Sequence, residues 1–335
     1  MTLEEIGEIK LIEEISKIIQ KEDKRVLVPV GDDAAVCVSP RHNTVLTTDI
    51  LVEEVHFKLD SILPYQLGYK ALAVNLSDIA AMAGLPRFAL VSLGLKPKTE
   101  LKWIQEFYRG MMALGANYDV TVVGGDVSRA ALVSVTATIV GEVEPELLRR
   151  RNEAKVGHRI LVTGKLGAAA AGLLLLDSGI ENPDSELIQA HFFPNPRITE
   201  ARIASQEGAS AMEDISDGLA REISNIARAS KVGARIFTQK IPVAPGVKKV
   251  AKDQNKHFLE LALAGGEDYE LVFTVAPQKV GQVASSIVKK TKTLVTEVGE
   301  IVPKESGVLL GNDDFRDFPL DKLGYNHFKM NNFLR

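Results

Sequence analysis

Lys70-Ala71-Leu72-Ala73-Val74-Asn75-Leu76-Ser77-Asp78-Ile79-Ala80-Ala81-Met82 decides how this chain folds. The spacing predicts a helix over 65–83, with Leu72, Leu76, Ile79 and Ala83 in one apolar stripe and Asn75, Asp78 and Met82 on the adjacent face. Between Ala71 and Ala83 the only polar residues are Asn75, Ser77 and Asp78. A helix apolar on most sides is buried, so Asp78 is expected to enter an internal polar site. The competing reading is a structural ion pair or a satisfied hydrogen bond.

Upstream, a helical period runs from Leu3 to Gln20, followed by β-rich runs at 26–30, 34–38 and 44–49. Downstream come a strand at 88–95, an amphipathic helix at 101–115, and strands at 120–123 and 132–143. The charged stretch 142–155, with Pro145 and three arginines, reads as a domain boundary. A second half then alternates strands (159–163, 211–214, 269–275, 293–298, 307–310) with helices (168–177, 184–192, 197–206, 219–230, 280–290). This order predicts an α/β or α+β fold in two domains, 1–148 and 149–335.

Composition narrows the function. A net charge of −4 argues against nucleic acid or an anionic membrane as the main partner. No stretch approaches about 20 uncharged apolar residues, and Met1-Thr2-Leu3-Glu4-Glu5 lacks the order of a signal peptide, so cytoplasm is the expected location. One cysteine, Cys37, excludes an intrachain disulfide framework and a cysteine-rich metal site.

Further acidic segments flank that helix, each with small residues beside the carboxylate. They are Gly31-Asp32-Asp33, Thr47-Thr48-Asp49, Gly124-Gly125-Asp126 and Asp214-Ile215-Ser216-Asp217-Gly218, with Gly265-Gly266-Glu267-Asp268-Tyr269-Glu270 as a third kind of acidic turn. Turn aspartates, a tight glycine turn after 120–123, a helix N-cap and a solvated loop are the plain alternatives. Yet hard oxygen donors beside small residues suit magnesium held together with phosphates. Asp33 and Asp49 are expected at strand ends. Thr47, Thr48 and Asp49 are expected to cluster, and Asp49, Asp78 and Asp126 to converge. His56 lies close enough to the first cluster to contact a ligand, whereas His42, His158 and His257 read as surface residues. No Walker A loop or paired-histidine zinc spacing is present.

In this order the segments resemble the thiamine-monophosphate kinases of the aminoimidazole-ribonucleotide-synthetase-like superfamily, a match closed by Gly324-Tyr325-Asn326-His327-Phe328. The resemblance implies an N-terminal domain whose strands form a barrel with a second subunit, and a C-terminal α/β domain closing over nucleotide and substrate. It implies transfer of the ATP γ-phosphoryl group to thiamine monophosphate by a homodimer. Carried over, Asp33, Thr47, Thr48, Asp49, Asp78, Asp126, Asp214 and Asp217 would hold several magnesium ions. Tyr108, Gly125, Arg151 and Ser216 would contact ATP, and His56, Glu267 and Tyr325 the thiamine phosphate. No catalytic residue beyond the metal ligands is implied. Arg149, Arg150 and Arg151 are consecutive, which leaves the register of the arginine open. Val127-Ser128 and His158 depart from the family pattern. Rivals are aminoimidazole ribonucleotide synthetase and, in another class, a non-catalytic nucleotide- or metal-sensing module.

Overall fold

A computed structural model describes residues 1–30, 34–39, 41–180, 185–311 and 318–319. By its internal contacts the chain divides into two units, Met1–Ile79 with Gly84–Pro145, and Ala80–Ala83 with Glu146 onward.

The first unit carries helix α1 (Leu3–Ile19), the short strands β1 (Val26–Val28) and β2 (Val36–Cys37), strand β3 (Asn43–Val52) and helix α2 (Pro64–Ala81). Strand β4 (Leu85–Leu95), helix α3 (Leu101–Asn117) and strands β5 (Thr121–Arg129) and β6 (Ser134–Val143) follow. The sheet order is β3-β6-β4-β5, antiparallel except for the β4–β5 pair. Leu67, Leu72, Leu76 and Ile79 of α2 are fully buried, as are Ile104, Phe107, Met111 and Leu114 of α3. Each such side chain contributes about 1.5–3 kcal/mol of burial. The two helices cross at reciprocal glycines. A Cβ on Gly68 would sit 1.8 Å from the Phe107 carbonyl oxygen, and one on Gly110 would sit 1.9 Å from that of Tyr65. This close approach fixes the height of α2, and therefore of Asp78, in the unit.

Two expectations are corrected here. Strand β3 continues to Val52, so Asp49 lies inside a strand rather than at its end. Strand β5 continues through Gly124-Gly125-Asp126 to Arg129, with a register shift at Val123 rather than a turn. The glycine is there for room: a Cβ on Gly125 would stand 1.9 Å from the Val91 carbonyl oxygen of β4.

The second unit holds strand β7 (Arg159–Thr163) and helices α4 (Ala168–Asp177), α5 (Glu186–Phe192) and α6 (Ile198–Glu207). Then come β8 (Ala209–Asp214), α7 (Leu219–Ser230), β9 (Gly233–Phe237), α8 (Val247–Asp253), α9 (Phe258–Ala264) and β10 (Leu271–Val275). Helix α10 (Val280–Thr291) and strands β11 (Val295–Val302), β12 (Val308–Gly311) and β13 (Phe318–Pro319) complete it. The sheet order is β13-β12-β9-β11-β7-β10-β8, with β12–β9 as its parallel pair. The alternation of strands and helices in both units gives a mixed α/β architecture. Among the described residues no helix is long and apolar enough to cross a membrane.

Candidate active site

In the first unit the acidic centre is built from strand alternation and one helix face. The Thr47 hydroxyl donates to Asp78 Oδ2 at 2.5 Å, which docks β3 on α2. Asp49, two residues on, points to the same side. Its carboxyl is pushed up to about 6, first by burial and then by the Asp78 charge. On the same face of α2, Asn75 is fully buried; its Nδ2 donates to the Ala71 carbonyl, while its Oδ1 has no hydrogen-bond partner.

Thr48 does not join this centre. It faces the other side of the sheet, where its hydroxyl donates to the Ala137 carbonyl oxygen at 3.1 Å and lies 2.9 Å from that of Thr138. The expected three-residue cluster therefore reduces to Thr47 and Asp49, because neighbours in a strand point to opposite faces. Asp126 is also separated. It pairs in register with Ser92, Ser92 with Thr136, and Thr136 with Ile50, whereas Asp49 shares its row with Ala137, Val91 and Gly125. Asp126 thus belongs to the opposite face, three strand spacings or about 14 Å from β3. Asp49, Asp78 and Asp126 do not converge within the unit, and no group of three or more His, Cys, Asp or Glu side chains among the described residues closes on one point.

Asp126 is exposed and accepts the Ser128 hydroxyl at 3.2 Å. Tyr108 is buried beside it, in a cavity of about 100 Å³ shared with Gly124, Gly125 and Asp126 and roofed by Ile12, Ile15 and Ile19 of α1. That is below the usual size of a small-molecule pocket. His56 is half-buried, and its Nδ1 accepts the Val52 amide at 3.0 Å, which places the neutral ring's proton on Nε2. Asp33 and Tyr325 lie outside the described residues.

In the second unit two acidic loops are strapped together by their backbones. The Ile215 amide donates to the Glu270 carbonyl at 2.7 Å, Tyr269 to Ile215 at 2.9 Å, and Glu267 to Ser216 at 2.7 Å. The second loop is conformationally strained: Gly266, Glu267 and Tyr269 have φ of 70°, 62° and 49°. Non-glycine residues in that region cluster at functional sites. Gly266 is required as well, since a Cβ there would lie 2.7 Å from the Ser216 carbonyl oxygen. These straps bring Asp214, Ser216 and Asp217 alongside Glu267.

The acids of the second loop have different tasks. Glu270 is buried and receives a two-pronged Arg197, at 2.7 and 2.5 Å, plus the Thr163 hydroxyl at 2.6 Å. Asp268 accepts the Gly167 amide at 2.8 Å at the start of α4. Both are structural. Glu267 instead sits with its carboxylate 3.1 Å from His191 Nδ1.

The structure also separates the three arginines. Arg149 reaches the carbonyls of Leu148, Glu146 and Ser205, and Arg150 pairs with Glu153 one turn away. Arg151 places its Nε 2.9 Å from Glu213, the residue before Asp214. Sequence reasoning missed Glu213, Glu222 and Asn225 beneath this loop. Glu213 and Glu222 are nearly inaccessible and share the Asn225 amide, and Glu222 also accepts the Asp217 amide at 3.0 Å. Burial, reinforced by Glu222, raises Glu213 well above the usual carboxylate range. A glutamate inside the strand Ala209–Asp214 and beside Asp214 was the available signal. His158, expected at the surface, is half-buried with Nδ1 2.8 Å from the Ser210 hydroxyl.

Comparison with known proteins identifies the family. Residues 31–143 match the family AIR synthase related protein, N-terminal domain, and 155–312 the corresponding C-terminal domain family. The chain is 38% identical to the thiamine-monophosphate kinase of Bacillus subtilis (strain 168), over 90% of this chain and 94% of that one. It superimposes on the thiamine-monophosphate kinase of Stenotrophomonas maltophilia K279a with a TM-score of 0.81 and 31% identity, covering 91% of this chain and 96% of the other. A structure described as AaThiL complexed with AMPPCP and TMP gives a TM-score of 0.76 at 34% identity, covering 98% of this chain and 99% of that one. The chain belongs to the thiamine-monophosphate kinase family of the AIR synthase related proteins.

Proposed function

We propose that this chain transfers the γ-phosphoryl group of ATP to thiamine monophosphate, giving thiamine diphosphate and ADP, in the cytoplasm. The observation that carries the reading is the Asp49–Asp78 pair, in which burial and a neighbouring like charge both raise the Asp49 carboxyl. A carboxylate held that way is relieved by a bound cation. The donors around it (Thr47, Asp49, Asp78 and the orphaned Asn75 oxygen) are all hard oxygens, the set magnesium takes. Magnesium, when bound, neutralises the two polyanions and the charge that develops in transfer.

The protein's own share is position. The acceptor is already a phosphate, so no general base is needed. Thr47, Asp49 and Asp78 would form one metal-binding group, Asp126 a second, and Asp214 with Asp217 a third, which fits several ions rather than one; Asp33 is assigned to magnesium by the family resemblance alone. Thr48 takes no part through its hydroxyl. Arg151, braced by Glu213, and Ser216 meet the phosphates of ATP, with Gly125 giving close backbone approach. The adenine goes to Tyr108, and the roof made by α1 must shift to admit it. His56 Nε2–H, Glu267 and Tyr325 meet the thiamine phosphate. In this assignment residues 1–148 bind magnesium and ATP and make the subunit contact, and residues 149–335 supply further contacts to nucleotide and substrate.

A homodimer follows from the first unit's sheet. Leu46, Ile50 and Leu90 share the face away from α2 and are 67%, 51% and 40% exposed, and β3 and β5 are open edges. A second copy covering that face and those edges would make a barrel. Incubation with magnesium, ATP and thiamine monophosphate should yield thiamine diphosphate and ADP. ADP with inorganic phosphate and no thiamine diphosphate would favour a synthetase or ATPase. Sedimentation showing only monomer at micromolar concentration would remove the dimer.

A further inference from the structure

We infer that Asn225 is the positioning residue for Arg151, and that through this arginine it sets affinity for the phosphates of ATP. The inference rests on the functional reading above for the nucleotide contact, and on geometry for the network itself.

Helix α7 starts directly after the loop 214–218 and holds it from its first turn, where Glu222 Oε1 accepts the Asp217 amide at 3.0 Å. The last turn of the same helix holds the segment that carries the arginine. There the Ser230 hydroxyl donates to the Arg151 carbonyl oxygen at 2.8 Å and accepts the Ala154 amide at 3.0 Å. Those bonds place the backbone of residue 151 but leave its side-chain torsions open. Glu213 restricts them, with its Oε1 2.9 Å from Arg151 Nε.

Asn225 ties these contacts into one network. It lies three residues after Glu222, on the same face of α7. Its Nδ2 donates to Glu222 Oε2 at 2.9 Å and to Glu213 Oε1 at 3.0 Å, the oxygen that Arg151 faces. The amide is oriented from behind, because its Oδ1 accepts an Arg228 N–H at 2.8 Å. The nitrogen, with its two hydrogens, is therefore the atom turned toward the two acids. Glu213 and Glu222 are only 1% and 2% exposed, so water is a poor substitute for that donor. Without it Glu213 loses the bond that fixes its carboxyl, and Arg151 loses a fixed partner. Arg151 itself is 58% exposed along its side chain and meets Glu213 through Nε. Its terminal nitrogens, Nη1 and Nη2, have no protein partner among the described residues. A guanidinium held in this way offers those nitrogens as a fork to phosphate oxygens. Orienting it before the ligand arrives lowers the side-chain entropy lost on binding.

The test measures KM for ATP and for thiamine monophosphate separately, with kcat and thermal melting, on the full chain. Asn225→Ala should raise KM for ATP about fivefold while the other KM and kcat change less than about twofold. Asn225→Ser, which keeps one hydroxyl donor, should recover part of the loss. A double-mutant cycle with Arg151→Ala separates positioning from general support. Once the arginine is gone, removing the amide should raise KM for ATP by less than about twofold more. Additive effects, parallel rises in both KM values, or a lowered melting temperature with KM for ATP unchanged would overturn the assignment. If Asn225→Ala does not fold, Asn225→Ser takes its place in the cycle. The network is also read without any acceptor: the calorimetric Kd for magnesium-ATP should rise about fivefold in Asn225→Ala, and an unchanged Kd would overturn it. A parent that binds ATP but forms no thiamine diphosphate would instead refute the proposed function and leave that binding result standing.

Discussion

The first unit contains two populations of partly buried carboxylates that the fold treats in opposite ways. Asp23 receives Arg25 at 2.7 Å and the Thr121 hydroxyl at 2.6 Å, and these hold it well below the usual carboxylate range. Glu53 receives Lys96 at 2.6 Å and the Val133 amide, and Glu142 receives Arg87 at 2.6 Å. Burial opposes ionisation at both, yet the cations outweigh it and their pKa values fall. At Asp49, burial is joined by the Asp78 charge and the pKa rises. The chain evidently can build an arginine or lysine beside an acid, and did so three times nearby. Where it placed a second acid beside the first, as at Asp49, the charged form is disfavoured and a bound cation would relieve it.

The largest expected effect lies on the neutralised side. Glu270→Ala strands Arg197 and the Thr163 hydroxyl in a nearly closed environment, and breaking such a pair costs about 3–5 kcal/mol. The loss should be equal in chelator and in magnesium with ATP. A thermal melt that magnesium rescues would move Glu270 into the ligand-binding class and blur the comparison.

The next effect is a pH dependence of opposite sign to ordinary acid denaturation. With a folded pKa of about 6 and an unfolded value near 3.9, Asp49 favours the folded state fully below about pH 4, and that contribution is lost as pH rises through 6. Partial exposure reduces the swing to about 2 kcal/mol. The paired acids, with lowered values, act the other way, so the comparison must be made against Asp49→Asn. In chelator the parent should lose stability relative to the variant between pH 4 and 7. A constant difference would mean that neither burial nor Asp78 raises Asp49.

At fixed neutral pH, Asp49→Asn should leave the metal-free protein as stable as the parent or more stable by about 1 kcal/mol. With magnesium and ATP the order should reverse, because ligand binding stabilises only the competent site. Equal melts under both conditions would place the cation elsewhere.

Sequence reading reached the elements whose pattern is local. The α2 stripe is legible because burial on most sides leaves Asn75, Ser77 and Asp78 conspicuous, and all but Asp78 are fully buried. Strand β5 was read short because Gly124-Gly125 looks like a turn; only the Val91 carbonyl, 1.9 Å from a hypothetical Cβ, explains a glycine inside a strand. Helices α8 and α9, seven residues each, are too short to show a period. Thr47-Thr48-Asp49 reads as one cluster in one dimension and as two faces once the strand is known to run through it. The arrangements that join distant segments, His191 with Glu267 and Arg197 with Glu270, leave no trace in spacing, since the contact is made by tertiary packing. Arg151 stands between these cases. Three consecutive arginines cannot be ranked by sequence, but their partners differ in kind.

That difference sets the smallest prediction and the sharpest check on reading cations by their partners. Arg150 meets Glu153 across one turn, with the two side chains 56% and 34% exposed. Such a pair is screened by water and held against side-chain entropy, so Arg150→Ala should change stability by less than about 0.5 kcal/mol. It should also leave KM for ATP within about twofold of the parent, because its guanidinium is directed at a surface acid. Arg151→Ala removes the cation beside nearly inaccessible Glu213, next to Asp214, and should raise KM for ATP by about tenfold or more, the value of a charged hydrogen bond to phosphate. Steady-state kinetics of the two variants, read side by side, decide the register. If Arg150→Ala proves the more damaging for ATP, the nucleotide contact belongs to Arg150, and pairing with an exposed acid is no sign that a cation is idle.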